Sequence, residues 1–308
     1  MERPYRLVTR LDPPDSAGAR TVPCRRFVAR SADDGRTVFF SAPLSGSDPA
    51  LFRAEAEAAQ RVTAPWTLPV DAVGGPADAW FTHPYVPALP LPVALAVHGG
   101  PLPEETVRVI GAALAETLAA LHAQGVTHAG VSPAAVLLTA DGPRLTCFGA
   151  ARATDRVDRE ALAPEQAAHG GPGTPGAAGV PGSPGAAGVP GSPGAVPGTP
   201  VAPGTPGDVY GLGAVLAYAA TGHTVPERSE LPDALRATIT ACLTRDPAHR
   251  PAAAALLPSL APPAPHGTVL GSASSLLTPG WLPARVVAAL AHQSASLLAA
   301  DLPAPTGS

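Results

Sequence analysis

Few residues in this sequence have types and spacings that could do chemistry. There is no lysine, so all twenty basic side chains are arginines, and any reaction that needs an ammonium group is excluded. The three cysteines, Cys24, Cys147 and Cys242, are far apart and form no C-x-x-C pair, which argues against a disulfide framework or a zinc site. Nine histidines are scattered without metal-ligand spacing. The densest stretch runs from Val126 to Gly149, VTHAGVSPAAVLLTADGPRLTCFG, and its one soft nucleophile is Cys147. A nucleophilic thiol needs an adjacent base or a lowered pKa, and the neighbouring residues signal neither, so Cys147 reads as a small buried thiol.

The elements that must position this stretch are legible around it. Tyr5-Arg6-Leu7-Val8, Arg26-Phe27-Val28-Ala29 and Thr37-Val38-Phe39-Phe40 are short β-like runs, and the turn Asp33-Asp34-Gly35 predicts a hairpin between the second and third. Ser47 or Asp48, followed by Pro49, opens a predicted helix over Ala50 to Val62. Leu68-Pro69-Val70 and Trp80-Phe81-Thr82 read as strands. Val107, Ile110, Leu114, Leu118 and Leu121 recur at helical spacing, opened by Glu104-Glu105 and closed by Gly125, which predicts a buried amphipathic helix. It leads into the stretch itself, read as a loop, a strand at Val136 to Leu138, a turn at Asp141-Gly142-Pro143, a strand at Arg144 to Thr146 and a Cys-Phe-Gly exit. A further helix is predicted over Leu231 to Leu243.

In order and spacing these motifs resemble the bacterial eukaryotic-type (Hanks-type) Ser/Thr protein kinases. The catalytic loop of that family reads H-R-D-L-x-x-x-N and its metal-binding turn D-F-G. The resemblance covers about residues 5–260 and implies an α+β, two-lobed protein-kinase-like fold. It places a small β-rich lobe at 1–86 and a larger helical lobe at 87–260; beyond it, composition and apolar pattern read 261–308 as a linker and a C-terminal apolar helix.

Residue by residue, the resemblance keeps scaffold and loses chemistry. His128 stands at the structural histidine under the D-F-G phenylalanine, here Phe148. Ala129 replaces the arginine that reads a phosphorylated segment. Gly130 replaces the aspartate base, Ser132 the usual lysine, Ala135 a magnesium-holding asparagine and Cys147 the other magnesium ligand. A thiolate is a poor substitute for a hard oxygen ligand. Ser41 takes the place of the phosphate-anchoring lysine, and Glu55 the place of its glutamate partner, so Glu55 is expected to be a solvated helix charge. The glycine-rich phosphate loop is replaced by Asp12-Pro13-Pro14-Asp15-Ser16-Ala17-Gly18, whose carboxylates would repel a triphosphate.

What survives is architectural. His83-Pro84-Tyr85-Val86-Pro87 resembles the hinge, where backbone atoms of Pro84 and Val86 could still meet adenine. Phe39 and Leu137 line the expected adenine pocket, with the Phe39 ring filling part of it. Asp208 would hold the catalytic-loop backbone, and Arg250 would pair with Glu165 of an Ala163-Pro164-Glu165 motif inside the large lobe. The segment between Gly149 and that motif is short, with Thr154 as its sole hydroxyl, leaving little room for a phospho-switch.

Residues 169–207 form a Gly/Pro-rich insert in which every third residue from Gly170 to Gly194 is glycine. Collagen-like in composition, it is expected to be an irregular or polyproline-II loop rather than one strand of a triple helix. Trp281-Leu282 and an apolar helix to Ala300 are expected to dock on the large lobe. The net charge of −4 supplies no basic field for nucleic acid. With no apolar leader and no run suited to spanning a bilayer, a cytoplasmic protein is the expectation.

The functional expectation is a pseudokinase that binds a protein partner, a true kinase or its substrate, with no cofactor. ATP binding stays open through the hinge, and magnesium is not expected. The alternatives are an atypical Ser/Thr kinase, or a scaffold working through the insert.

Overall fold

The computed structural model describes residues 4–12, 22–154, 157–167, 204–260 and 272–299. Most of the Gly/Pro-rich insert, all of the 261–271 linker, and residues 13–18 of the stretch at the phosphate-loop position lie outside the described residues.

The N-terminal part is a five-stranded antiparallel sheet in the order β1-β2-β3-β5-β4, built from β1 (Tyr5–Arg10), β2 (Cys24–Ser31), β3 (Thr37–Pro43), β4 (Ala72–Val73) and β5 (Phe81–Pro84). The Asp33-Asp34-Gly35 turn joins β2 to β3 as predicted, with Gly35 in the left-handed region at φ 70°. Helix α1 (Pro49–Gln60) packs on this sheet through Phe52 and Ala56. Its start is fixed by Asp48, whose carboxylate accepts from the Ala50 and Leu51 N–H groups at 2.8 and 3.3 Å. Leu68-Pro69-Val70 does not form the predicted strand. Proline interrupts a ladder, so pairing is limited to a bridge from Thr67 to Leu145, and the strand falls later, at β4.

The rest is helical around a small second sheet, β6 (Ala88–Pro90), β7 (Val136–Thr139) and β8 (Gly142–Leu145), in the order β6-β7-β8. The helices are α2 (Leu91–His98), α3 (Glu104–Ala123), α4 (Ala150–Ala153), α5 (Pro164–Ala167), α6 (Thr205–Thr221), α7 (Asp233–Cys242), α8 (Ala253–Leu260) and α9 (Ala284–Ala299). α6 begins at Thr205, slightly inside the stretch that sequence assigned to the insert.

α3 is the axis of the large lobe. Val107, Ile110, Leu114, Leu118 and Leu121, the residues at helical spacing, are all buried against Leu212 and Leu216 of α6, Leu256 and Leu260 of α8, and Leu145 of β8. Burying each such side chain stabilises the fold by about 1.5–3 kcal/mol. By length and composition α3 would also suit a bilayer, yet 72% of its most apolar window is covered by the protein itself. The arrangement is the α+β, two-lobed protein-kinase fold.

Candidate functional site

The loop before β7 is held from below by one carboxylate. Asp208, in the first turn of α6 and 3% exposed, accepts from the backbone N–H of His128 at 2.7 Å and of Ala129 at 2.8 Å. The ring of His122, at the end of α3, reaches the same carboxylate at 3.0 Å. This clamp holds Ala129 at φ 52°, a left-handed conformation that costs a non-glycine residue about 1–2 kcal/mol. His128 is buried edge-on against Phe148, ring centroids 5.5 Å apart at 76°. Burial pushes its pKa down to about 4 against the opposing pull of Asp208, so the imidazole is neutral at neutral pH. Its Nδ1 has no hydrogen-bond partner among the described residues.

Downstream, the positions of chemistry are closed. A Cβ placed on Gly130 would lie 2.1 Å from the Cys147 carbonyl oxygen, so this backbone has no room for the aspartate of a kinase at that position. Ser132 and Ala135 are buried, and the Ala135 carbonyl is occupied by the Thr146 N–H and hydroxyl, each at 2.8 Å. Among the described residues no three His, Cys, Asp or Glu side chains gather into a metal site.

Cys147, at φ 63°, points into a polar nook that sequence reasoning missed. Arg26 on β2 lies opposite Ser41 in the strand register and carries its guanidinium into the cleft. Nη1 stands 3.4 Å from the Thr146 hydroxyl and 3.9 Å from the Cys147 sulfur, while Nε donates to the Asp12 carboxylate at 2.8 Å. Burial opposes this charge, but Asp12 more than compensates and holds the Arg26 pKa above its ordinary value. The cation that Ser41 cannot supply is therefore present from the neighbouring strand, already paired to a carboxylate. No local pattern in the sequence signals that pair, because its members are separated by a loop and meet only through strand pairing.

The hinge side of the cleft is filled. Phe39, 2% exposed, packs with Leu11, Val28, Leu137 and Ala88, and its ring sits 5.1 Å from that of Tyr85. Leu297 of α9 belongs to the same cluster. One turn earlier, Gln293 accepts from the Ala88 N–H at 3.0 Å and donates to the Ala88 carbonyl at 3.1 Å, and the Tyr85 hydroxyl meets it at 3.4 Å. The C-terminal helix thus docks on α2 and β6, on the large lobe as expected, and further reaches the hinge and the cleft. A lone glutamine in an alanine- and leucine-rich helix was the available signal. Pro84 ends β5 opposite Val38, and Val86 packs against the Phe39 cluster. What remains of the cleft, between Phe39, Ser41, Arg26 and Cys147, encloses about 300 Å³ of non-atom space with its open mouth included. Next to the hinge, His83 donates to the Pro69 carbonyl at 2.8 Å, and burial lowers its pKa to about 4.

One expectation is corrected. Glu55 is not a solvated charge: its carboxylate takes both Nε and Nη2 of Arg152 at 2.7 Å, tying α1 to α4 just beyond Phe148. The spacing within α1 could not reveal this partner, which comes from a different element. The predicted Glu165–Arg250 pair is in place: Arg250 Nη1 and Nη2 meet the two Glu165 oxygens at 2.6 and 2.7 Å.

No family model matches the chain. It is 32% identical over 283 residues to the serine/threonine-protein kinase AfsK of Streptomyces coelicolor, covering 85% of this chain and 32% of that protein. It is 33% identical over 280 residues to the probable serine/threonine-protein kinase PkwA of Thermomonospora curvata, covering 83% of this chain and 34% of the relative. A second AfsK, from Streptomyces griseus, is 30% identical over 83% of the chain. The chain therefore spans about a third of the length of these relatives.

Proposed function

We propose that this chain, a protein-kinase-like domain of the bacterial eukaryotic-type Ser/Thr kind, is a pseudokinase that acts by binding a protein partner, a true kinase or its substrate. Phosphoryl transfer requires ATP held in place, metal bridging its phosphates, and a base on the acceptor hydroxyl. The observation that carries the reading is Gly130 lying against the Cys147 carbonyl with no room for a Cβ, because it denies the base its position as well as its carboxylate. Two further features support it. Asp12 neutralises Arg26, the cation 3.9 Å from the Cys147 sulfur, and Phe39 with Leu297 takes the apolar space an adenine ring would need.

What the geometry retains is rigidity. The Glu55–Arg152 pair ties the small lobe to the large one, while the Asp208 clamp and the Glu165–Arg250 pair fix the loop before β7 and the segment after α4 within the large lobe. A preorganised surface binds a partner at lower entropic cost. The relatives' names give a Ser/Thr kinase activity that this fold could carry only if ATP and a base entered by another route.

The test is incubation of the purified chain with labelled ATP, magnesium and a generic acceptor protein. No incorporation above background is expected, with or without the Cys147→Asp substitution. Incorporation by the wild-type chain that disappears on substituting Ser41 or Cys147 would contradict the reading.

A further inference from the structure

Cys147 and Cys24 come from opposite sides of the cleft, one from the turn after β8 and the other from the start of β2, and both line the same remnant of it beside Arg26. Both line the remnant of the cleft and also the larger cavity behind it, between α1 and the sheet. That cavity offers about 60 Å³ of room, enough to admit a small solute. The third cysteine, Cys242, lies in the large-lobe core against Gly213 of α6 and lines neither.

We propose that Cys147 and Cys24 form a peroxide-sensitive thiol pair, in which Cys147 is the attacking thiolate and Cys24 the resolving thiol. The setting of Cys147 is that of a reactive cysteine: the Arg26 guanidinium at 3.9 Å, the Thr146 hydroxyl at 3.6 Å, and a second cysteine, Cys24, lining the same cleft remnant. The Cys24 thiol in contact with its sulfur, and then Arg26 and Thr146, draw the Cys147 pKa below its ordinary value against the effect of burial. Cys24 moves the opposite way, raised by the same contact and by burial. Burial alone pushes Cys242 up to about 12, which leaves it inert.

The chemistry balances with a hydroperoxide as oxidant. The Cys147 thiolate attacks one oxygen of hydrogen peroxide; an S–O bond forms, the O–O bond breaks, and hydroxide leaves with the electron pair. The resulting sulfenic acid is attacked by Cys24 after its proton is lost to solvent; the S–S bond forms, the S–O bond breaks, and a second hydroxide leaves. Two thiols and one peroxide become one disulfide and two waters. The product joins the N-terminal sheet to the turn that carries Phe148, and fixes the lobes across the cleft. This inference stands independently of whether the chain transfers phosphate.

The test uses the full chain, reduced and then titrated with hydrogen peroxide, followed by non-reducing peptide mass spectrometry. The expected product is an intramolecular Cys24–Cys147 disulfide approaching one per chain, reversed by dithiothreitol, with Cys242 unmodified. Cys24→Ser should leave a dimedone-trappable sulfenic acid at Cys147, and Cys147→Ser should leave Cys24 reduced at the same peroxide dose. Arg26→Gln should slow the first step several-fold. The proposal is overturned if the folded wild-type chain forms no such disulfide, or if Cys242 oxidises at a comparable rate.

Discussion

Replacing Arg250 with alanine should unfold the large lobe's lower half more readily than any surface change. The guanidinium has no exposed side-chain area, and all of its nitrogens are engaged: Nε with the Thr244 carbonyl at 2.8 Å, Nη1 with Glu165 and the Pro206 carbonyl, Nη2 with Glu165 and the Arg245 carbonyl. It also stacks over Tyr210, 5.0 Å from the ring centre. Truncation strands a carboxylate that is only 22% exposed, whose pKa the Arg250 contact holds below the usual range, together with three carbonyls. Breaking such a pair from one side costs about 3–5 kcal/mol. For a chain of this size that lowers the melting temperature by roughly 6–20 °C. Glu165→Gln should cost less, about 1–3 kcal/mol, because the guanidinium keeps its three backbone acceptors. Urea denaturation of the two variants measures both. A loss under about 1 kcal/mol for Arg250→Ala, the value of an exposed pair, would refute the reasoning.

Phe39→Ala should destabilise the chain by about 3–5 kcal/mol through the cavity it leaves, and should not create ATP binding, since Arg26 is still neutralised by Asp12; calorimetry with ATP checks both. Gln293→Ala should free the hinge while leaving the cores intact, seen as faster hydrogen exchange at the Ala88 amide with little change in the α3 amides. Acid should destabilise the fold through His83 and His128. Their folded pKa values lie below the unfolded one, so the unfolded chain binds more protons, and stability is lost as pH falls from about 6.5 towards 4, by roughly 3 kcal/mol per histidine at the limit. Thermal unfolding across that range measures it, and a flat profile would contradict the burial of these rings.

Local pattern made some parts of this molecule readable and left others hidden. α3 was legible because five apolar residues at helical spacing leave one face to bury, and the β2–β3 hairpin because Asp-Gly supplies a turn. The Asp208 clamp, the His128–Phe148 contact and the Glu165–Arg250 pair were legible through motif order, since the fold requires them wherever that order occurs. Three features were not. The Arg26–Asp12 pair depends on strand register across a loop, Glu55 found its partner in Arg152 on a different element, and Gln293 reaches Ala88 only after the C-terminal helix has docked. Each is a long-range contact between residues whose local surroundings fit an ordinary surface charge or amide equally well. The closure of Gly130 against the Cys147 carbonyl was also hidden, because sequence shows the missing carboxylate but not the missing space.

Phe39, Leu137 and Leu297 fill the hinge side of the cleft, and the proposed pseudokinase reading expects it to take no nucleotide. Isothermal titration of the full chain with ATP, with and without magnesium, tests it most directly. The account predicts no binding heat at millimolar ATP in either condition; saturable, magnesium-dependent binding at micromolar ATP would contradict it.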